Sequence, residues 1–378
     1  MRTKNDIGVI GYGLIGKAIK PMLESVGYKV TAYDVVPQPG VTTIKGSYDE
    51  IVSKHEGIVA STPYKHNIAI ARACKEAGVA YFDLTEDVAV TQEVHNMAQE
   101  AWVEQAISSG TKRSSVWMMP QCGLAPGFVS TCAAHLVSKF GDAGEVYSVE
   151  IRVGALPVSS NNEMKYYLTW SPEGLVNEYV NPCVAAEDGQ VITLRPLEGL
   201  ETLNIDGQPY EAFNTSGGIG NFANQYAHRV RKINYKTIRY PGHNQLMRFL
   251  VNDLHLDQRK DVFVDLFKGG VPHTENDVVV ISVHVVGKHV GATMPTRYEY
   301  VAKIYPHIHP LTNECTSAIQ VTTAAGLCIA LDWWATGAWK GTKYEDNTFF
   351  GSEMISWDFL MNCPFSDPYI TGALTSVE

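Results

Sequence analysis

A glycine-rich run near the start of the chain has the spacing of a phosphate-binding turn. It reads Gly11-Tyr12-Gly13-Leu14-Ile15-Gly16, after an apolar run and before a segment of helical periodicity. In a G-x-G-x-x-G pattern the first glycine permits a tight turn, the second lets a pyrophosphate approach the backbone, and the third lets the helix pack on the strand. The helix N-terminus offers unpaired N–H groups and a positive dipole end. The run predicts a dinucleotide site with contacts from Gly11, Gly13, Leu14, Ile15 and Gly16.

Asp34 indicates which dinucleotide this would be. It lies 18 residues after Gly16, at the end of the second predicted strand. A carboxylate there accepts hydrogen bonds from ribose hydroxyls. A 2′-phosphate at roughly 4 Å would be repelled by about 1 kcal/mol in water and about 4 kcal/mol at an effective dielectric near 20. No arginine follows Asp34 within the next several residues, so NAD is predicted rather than NADP.

Alternating strands and helices up to about residue 127 must position these groups. This alternation predicts an α/β fold with a parallel sheet wound on both sides, the Rossmann arrangement. Ligands of such sheets lie beyond the carboxyl ends of the strands. That edge would carry residues 11–16, 34, 61–64, 84–87 and 121–127. The further cofactor contacts predicted there are Ser61, Thr62, Pro63, Leu84, Thr85 and Gly123, with Thr62 and Pro63 beside the nicotinamide ribose.

The pattern changes after residue 127. Long strand-like runs joined by turn signals such as Asp206-Gly207 indicate a second, α+β domain with a mixed or antiparallel sheet. Thr316–Trp334 and Gly351–Asn362 are predicted helices. The predicted domains are a nucleotide domain over 1–127, a substrate and dimerisation domain over 128–310, and C-terminal helices over 311–378 that return to the first domain.

The composition limits the class of protein. The 378 residues are 45% hydrophobic and 19% charged, as in a globular enzyme, and the net charge of −10 disfavours nucleic acid as a partner. No apolar run is expected to span a membrane, and the chain enters its first strand without a signal peptide. Seven scattered cysteines predict a reducing, cytoplasmic location. His307-x-His309 has no third ligand at a telling spacing, so no metal is predicted.

Several blocks taken together resemble the saccharopine dehydrogenase family, most closely its L-lysine 6-dehydrogenase-like branch. Their order and spacing cover nearly the whole chain. Beyond the first glycine run, they are the strand 77–85 (AGVAYFDLT), 123–127 (GLAPG), 170–174 (WSPEG), 211–215 (EAFNT) and 239–243 (RYPGH).

The resemblance implies NAD(P)-dependent oxidation at the carbon–nitrogen bond of an amino acid. It also implies a Rossmann domain and a second α/β domain whose sheet helps to form a homodimer. The glutamate-forming saccharopine dehydrogenases carry an aspartate where this chain has Ala125 and a cysteine where it has Val153. Their carboxylate-binding arginine is not visible near Thr215. These departures favour a smaller amine substrate.

The expected chemistry requires a neutral amine. A lysine-like amine has a pKa near 10.4, so its neutral form costs about 4.6 kcal/mol at pH 7. The site needs a base or a desolvated pocket, and a clamp for the substrate carboxylate. Arg239 is the predicted clamp, with a structural ion pair as the alternative. His243, in the matching block, is predicted to act as the base or to orient the substrate, unless it is a hydrogen-bonded loop histidine.

The remaining candidates are assigned with their structural alternatives. Asp83 and Glu86 would polarise water or bind the amine, or else cap a helix or form a loop ion pair. Gln121, Tyr167, Trp170 and Thr215 would contact the substrate, although such aromatic groups are more often core. Cys122 is expected to be a packed thiol rather than a nucleophile.

Three functions remain open on the sequence. The first is an NAD-dependent amino-acid dehydrogenase that yields a semialdehyde and ammonia. The second is an opine- or saccharopine-type reductase that joins an amino acid to a keto acid. The third is a catalytically silent NAD-binding sensor, which is consistent with the differences from the family's pattern at Ala125 and Val153.

Overall fold

In a computed structural model of the chain, residues 5–109, 116–308 and 315–375 are described. They form two compact units. The first comprises the described parts of Met1–Thr131 and Thr323–Asp367, and the second those of Cys132–Thr322 and Pro368–Glu378. The predicted boundaries at 127 and 310 remain predictions.

The first unit contains a six-stranded sheet in which every neighbouring pair of strands is parallel. Its strands are β1 (Asp6–Ile10), β2 (Lys29–Asp34), β3 (Thr42–Thr43), β4 (Gly57–Ala60), β5 (Ala80–Asp83) and β6 (Met118–Met119). Their order is β3-β2-β1-β4-β5-β6. The helices between them are α1 (Leu14–Ser25), α2 (Tyr48–Val52), α3 (Asn67–Ala77) and α4 (Val88–Ser109). The predicted doubly wound parallel sheet is confirmed.

The central strands are buried on both faces. Every residue of β4 and β5 is buried, as expected where helices cover a parallel sheet from both sides. The order reverses between β1 and β4, which is the switch point where dinucleotides bind in such sheets. Beyond β6, Met118 N donates to Thr348 O (2.9 Å) and Phe350 N donates to Met118 O (2.9 Å), so residues 348–350 continue the sheet in parallel.

The second unit contains an eight-stranded mixed sheet, which confirms the other half of the predicted fold class. Its main path is β10-β11-β12-β7-β13-β14, and β8 pairs with both β12 and β9. Strands β12 and β7 are parallel, whereas the other pairs are antiparallel. The strands are β7 (Glu145–Pro157), β8 (Cys183–Glu187), β9 (Gln190–Leu194), β10 (Glu201–Ile205), β11 (Gln208–Asn214), β12 (Val230–Arg239), β13 (Asp277–Lys288) and β14 (Thr296–Ile304), with a small pair β15 (His307–Ile308) and β16 (Cys315–Thr316).

The remaining helices are α5 (Phe128–Ser138), α6 (Pro172–Val180), α7 (Phe222–Tyr226), α8 (His243–Arg248), α9 (Lys260–Gly270), α10 (Ala318–Thr336), α11 (Trp357–Asn362) and α12 (Asp367–Thr371). Single turns of other helix types lie at Tyr64–His66, Phe249–Asp253, Leu256–Gln258 and Ser352–Met354.

One predicted helix needs correction, and so does the expectation that no apolar run has the length of a membrane span. The predicted last helix, Gly351–Asn362, is broken into the turn Ser352–Met354 and α11. The break follows from Ser356, which is extended and whose Oγ accepts a hydrogen bond from Phe359 N (3.2 Å), so it starts a new helix. Helix α10 has the length and apolar composition of a membrane span, contrary to expectation, but 78% of its most apolar window is buried inside the protein, as in a core helix.

Only the first residue of the predicted histidine pair is among the described residues. His307 is exposed on β15, and His309 lies outside the described residues. Over 5–109, 116–308 and 315–375, no group of three or more His, Cys, Asp or Glu side chains is arranged to hold a metal ion.

Candidate active site

The glycine turn between β1 and α1 has the geometry that a pyrophosphate needs. Gly11 has a φ of 95°, and a Cβ there would overlap Ser61 O. A Cβ at Gly16 would overlap Gly11 O. At Gly13, by contrast, no atom of the described residues beyond its own chain neighbours lies within 4 Å of an added Cβ. Leu14 and Ile15 open α1, whose first turn carries neither a side-chain cap nor an acidic residue. Open space therefore adjoins a free helix N-terminus.

Asp34 is fixed at the end of β2 by two backbone donors. Its Oδ2 accepts a hydrogen bond from Tyr12 N (2.6 Å) and its Oδ1 accepts one from Val36 N (2.8 Å). Each carboxylate oxygen has a second lone pair available. The carboxylate is thus tied to the glycine turn, and it can still accept from ribose hydroxyls.

Asp83 is the centre of a buried network at the end of β5. Its Oδ1 accepts from Gln121 N (2.9 Å) and Thr85 N (3.0 Å), and its Oδ2 accepts from Tyr81 Oη (2.7 Å) and Asn67 Nδ2 (3.2 Å). Burial raises the pKa of Asp83, and these donors oppose that rise. The geometry therefore favours a positioning role for Asp83 over the predicted catalytic one.

The network of Asp83 fixes two loops. Gln121 is held at a φ of 62°, a conformation that costs energy for a residue with a side chain. Thr62 Oγ1 donates to Asn67 Oδ1 (3.1 Å), so the loop after β4 is linked to Asp83 through Asn67. In that loop Ser61 N donates to Ile10 O (2.8 Å), and Pro63 is exposed.

The loop after β6 is closed by glycines. Gly127 has a φ of 140°, and a Cβ there would overlap Gly123 O. A Cβ at Gly123 would lie 3.3 Å from Leu84 Cδ2, and one at Gly326 of α10 would overlap Gly123 O. The predicted cofactor contacts after β4, β5 and β6 therefore come together at one edge of the sheet.

Glu86 differs from Asp83 in its surroundings. It is half-buried in the loop between β5 and α4. Burial, with smaller contributions from Asp87 and Asp83, raises the pKa of Glu86 to about 7. A carboxyl group with this pKa is suited to general acid–base chemistry near neutral pH.

In the second unit, Arg239, Tyr179 and His243 form a hydrogen-bonded chain. Arg239 Nε donates to Tyr179 Oη (3.0 Å), which hydrogen-bonds to His243 Nε2 (3.0 Å), while His243 Nδ1 hydrogen-bonds to Met164 O (2.9 Å). Burial and the charge of Arg239 lower the pKa of His243 to about 3. A neutral imidazole with both nitrogens engaged suits the predicted orienting role better than the role of base.

Arg239 is enclosed within its own unit. It is 3% exposed, its guanidinium carbon lies 4.9 Å from the ring centre of Tyr166, and its Nη2 lies 3.7 Å from Glu178 Oε2. Tyr179 and Glu178 both lie on α6. A substrate carboxylate would have to displace Glu178 to reach this guanidinium.

Two of the sequence blocks, 170–174 and 239–243, contain the first residues of α6 and α8, the helices that carry Tyr179 and His243. In 170–174, Ser171 Oγ accepts from Gly174 N (3.2 Å) and Pro172 opens α6. In 239–243, β12 ends at Arg239 and α8 begins at His243, where Glu211 accepts from the N–H groups of Gly242 (2.9 Å) and Asn244 (2.6 Å).

The predicted substrate contacts divide into three environments. Trp170 is partly buried against the core of the second unit. Tyr167 is half-buried and hydrogen-bonded to the loop residue Asn161 (2.5 Å), whereas its neighbour Tyr166 is the one beside Arg239. Thr215 is buried, with its Oγ1 3.1 Å from Thr237 Oγ1.

Sequence reasoning missed Tyr166, Glu178 and Tyr179. A usable signal was present for α6, because Leu175, Val176 and Tyr179 follow the Ser-Pro start at helical spacing.

Comparisons with known proteins agree with this architecture. The family described as "Saccharopine dehydrogenase C-terminal domain" matches residues 123–345. The mitochondrial alpha-aminoadipic semialdehyde synthase of Bos taurus is 21% identical over 212 residues, which are 52% of this chain and 21% of that protein. A glycerate dehydrogenase of Methylorubrum extorquens is 29% identical over 109 residues, 28% of this chain and 32% of that protein.

Among solved structures, the apo saccharopine dehydrogenase (L-Glu forming) of Saccharomyces cerevisiae matches with a TM-score of 0.68 and 12% identity, over 97% of this chain and 96% of that one. This likeness concerns the fold. The chain spans about a fifth of the length of the semialdehyde synthase and about a third of that of the glycerate dehydrogenase.

Proposed function

The chain belongs to the saccharopine dehydrogenase family, a family of oxidoreductases, and from that premise we propose that it is an NAD-dependent amino-acid dehydrogenase most like L-lysine 6-dehydrogenase. One observation carries the proposal. The space at Gly13, at the start of α1, is open and fits a pyrophosphate, whereas an added Cβ at Gly11 or Gly16 would overlap the backbone. Asp34, with no arginine close after it, favours NAD over NADP.

The reaction converts a primary amine, NAD and water to an aldehyde, ammonia, NADH and a proton. NAD, when bound, accepts the hydride from the carbon that bears the amine. The protein must first remove a proton from the ammonium group, because only the neutral amine can expel a hydride. The imine then adds water and releases ammonia, and for lysine the semialdehyde cyclises.

Glu86 is the proposed base. It follows β5 at the carboxyl edge of the sheet, and its pKa of about 7 leaves a useful fraction of carboxylate at neutral pH. It would take the proton from the ammonium group, give it to the nitrogen of the imine, and then accept a proton from the attacking water. Asp83 would act indirectly, by holding Gln121 and Thr85 in place.

His243 and Arg239 are proposed to orient and bind the substrate. The chain from Arg239 through Tyr179 to His243 fixes the tautomer and orientation of the imidazole. Arg239 remains the proposed carboxylate clamp, with its ion pair to Glu178 as the structural alternative. A homodimer and a cytoplasmic location are further proposals that follow from the family resemblance and the scattered cysteines.

The test is NADH formation with a panel of amino acids that includes lysine and ornithine, from neutral to alkaline pH. The proposal expects NADH and ammonia in equal amounts from one amine alone, with a rate that rises with pH. NADH consumption that requires both an amino acid and a keto acid would instead identify an opine-type reductase. NAD binding without turnover in either direction would identify a sensor.

A further inference from the structure

Residues 348–350 extend the parallel sheet of the first unit, and Glu353 comes three residues after them. The extension is held by the two hydrogen bonds between Met118 and residues 348 and 350. Because its direction is parallel to β6, the turn Ser352–Met354 lies at the carboxyl edge of the sheet. The chain therefore brings one more chemically active side chain to the edge where ligands of this fold bind.

The carboxyl group of Glu353 is buried and incompletely satisfied. The residue is 8% exposed, and among the described residues no hydrogen-bond partner reaches its Oε1. None of the ion pairs between described residues includes Glu353, Glu86 or Asp83. A buried acceptor without a donor is destabilising, so its persistence at a ligand-binding edge points to a donor supplied from outside the chain.

The surrounding backbone is shaped to hold this carboxyl group. A Cβ at Gly351 would overlap Glu353 Oε1 and lie 2.5 Å from its Oε2 and Cδ. The carboxyl group thus lies in space that only a glycine leaves open. Ser352 O accepts a hydrogen bond from Thr131 Oγ1 (2.6 Å), which anchors the turn to α5.

Glu353 also adjoins the loop after β6. Burial is the main cause of the raised pKa of the Cys122 thiol, and the charges of Asp83 and Glu353 add to it. Cys122 N donates to Asp83 O (2.9 Å), so Glu353 shares a neighbourhood with the network of Asp83.

The sheet order assigns this neighbourhood to one half of the dinucleotide. Asp34, at the end of β2, lies on the adenosine side of the switch point between β1 and β4. The ends of β4, β5 and β6 and the extension at 348–350 lie on the other side, which is the nicotinamide half.

We propose that Glu353 is a ligand-binding residue of the first unit whose carboxyl group accepts an N–H from the bound ligand. Two sources share this chemistry. One is the carboxamide of the nicotinamide, and the other is the amine of the substrate. The inference rests on the proposed function for the identity of the ligands, and it adds a residue that neither the glycine turn nor the resemblance supplies.

Two variants distinguish a ligand-binding role of Glu353 from a purely structural role. Glu353→Met removes the acceptor at similar length, and Gly351→Ala displaces the carboxyl group while keeping it. Gly351 is extended (φ −120°, ψ 155°), so alanine is tolerated by the backbone. Asp358→Asn is the matched control, since it removes an exposed carboxylate five residues away in α11.

The measurements are the Kd of NADH and the Kd of the amine in the presence of NADH, both by calorimetry, together with thermal unfolding. Loss of a hydrogen bond to a charged group predicts about a 10- to 100-fold weaker Kd in Glu353→Met and Gly351→Ala, and no change in Asp358→Asn. A weaker Kd for NADH identifies the carboxamide. A weaker Kd for the amine alone identifies the substrate.

A structural role predicts the reverse pattern. If Glu353→Met unfolds at a lower temperature and both ligands bind as tightly as to the wild type, the proposal is overturned. If the wild type binds NADH but oxidises no amine, the proposed function fails separately. The effect of Glu353→Met on the Kd of NADH then decides the role of Glu353: a weaker Kd supports it, and an unchanged one overturns it.

Discussion

Replacing Glu353 by glutamine should change how the stability of the first unit depends on pH. Burial raises the pKa of Glu353 from its ordinary 4.5 to about 7. Because the folded protein holds this proton more tightly than the unfolded chain, the stabilisation is fully present below pH 4.5 and is lost as the pH rises through 7. At 1.36 kcal/mol for each pKa unit, the full effect is roughly 3 kcal/mol, most of it between about pH 5 and about pH 8.5.

The assay is denaturant unfolding of the wild type and Glu353→Gln at about pH 5 and about pH 8.5, monitored by tryptophan fluorescence. This signal reports mainly on the first unit, which holds six of the seven tryptophans: Trp102, Trp117, Trp333, Trp334, Trp339 and Trp357. The wild type should lose about 2 to 3 kcal/mol more than Glu353→Gln between the lower and the higher pH. Equal losses would mean that the carboxyl group is hydrated or paired and that its pKa is not raised in the folded protein.

Three other predictions concern the proposed cofactor and base. Asp34→Ala should weaken NAD binding more than NADP binding, and equal losses would defeat the ribose assignment. Gly16→Ala should lower both the unfolding temperature and the affinity for NADH, because the added Cβ overlaps Gly11 O. Gly13→Ala should lower the affinity for NADH alone. Normal NADH binding by Gly13→Ala would contradict the pyrophosphate site. Glu86→Gln should lower kcat/KM about 100-fold or more and abolish a rise in rate through pH 7, and an unchanged pH profile would remove Glu86 as the base.

Features set by short-range sequence could be predicted. The turn from Gly11 to Gly16 depends on residues within one strand–turn–helix unit, and the alternation of strands and helices gave the parallel sheet directly. The change to long strands after residue 127 likewise indicated the second, mixed sheet.

Features set by long-range packing could not be predicted in this way. Asp83 is predicted at a strand end, as a group that acts on water or the amine or as a helix cap or ion-pair partner, but its donors include Asn67 and Gln121, which are distant in sequence. Tyr167 is the predicted substrate contact, whereas Tyr166 is the one beside Arg239. Neighbouring aromatic residues on an irregular segment carry no periodicity that tells which one is buried. Glu353 was hidden inside a predicted continuous helix, whereas the break before Ser356 leaves it in a separate turn at the sheet edge.

In the proposed reaction, a hydride leaves the carbon that bears the substrate amine and is transferred to NAD. The most direct measurement uses lysine deuterated at its terminal, amine-bearing carbon, with mass spectrometry of the NADH formed and a parallel assay of ammonia. The proposal predicts one deuterium in each NADH, one ammonia released, and a slower rate than with unlabelled lysine if hydride transfer limits turnover. If another amino acid is the substrate, the same label at its amine carbon should give the same result. NADH without deuterium, formed from the substrate that the panel identifies, would rule out the proposed hydride transfer.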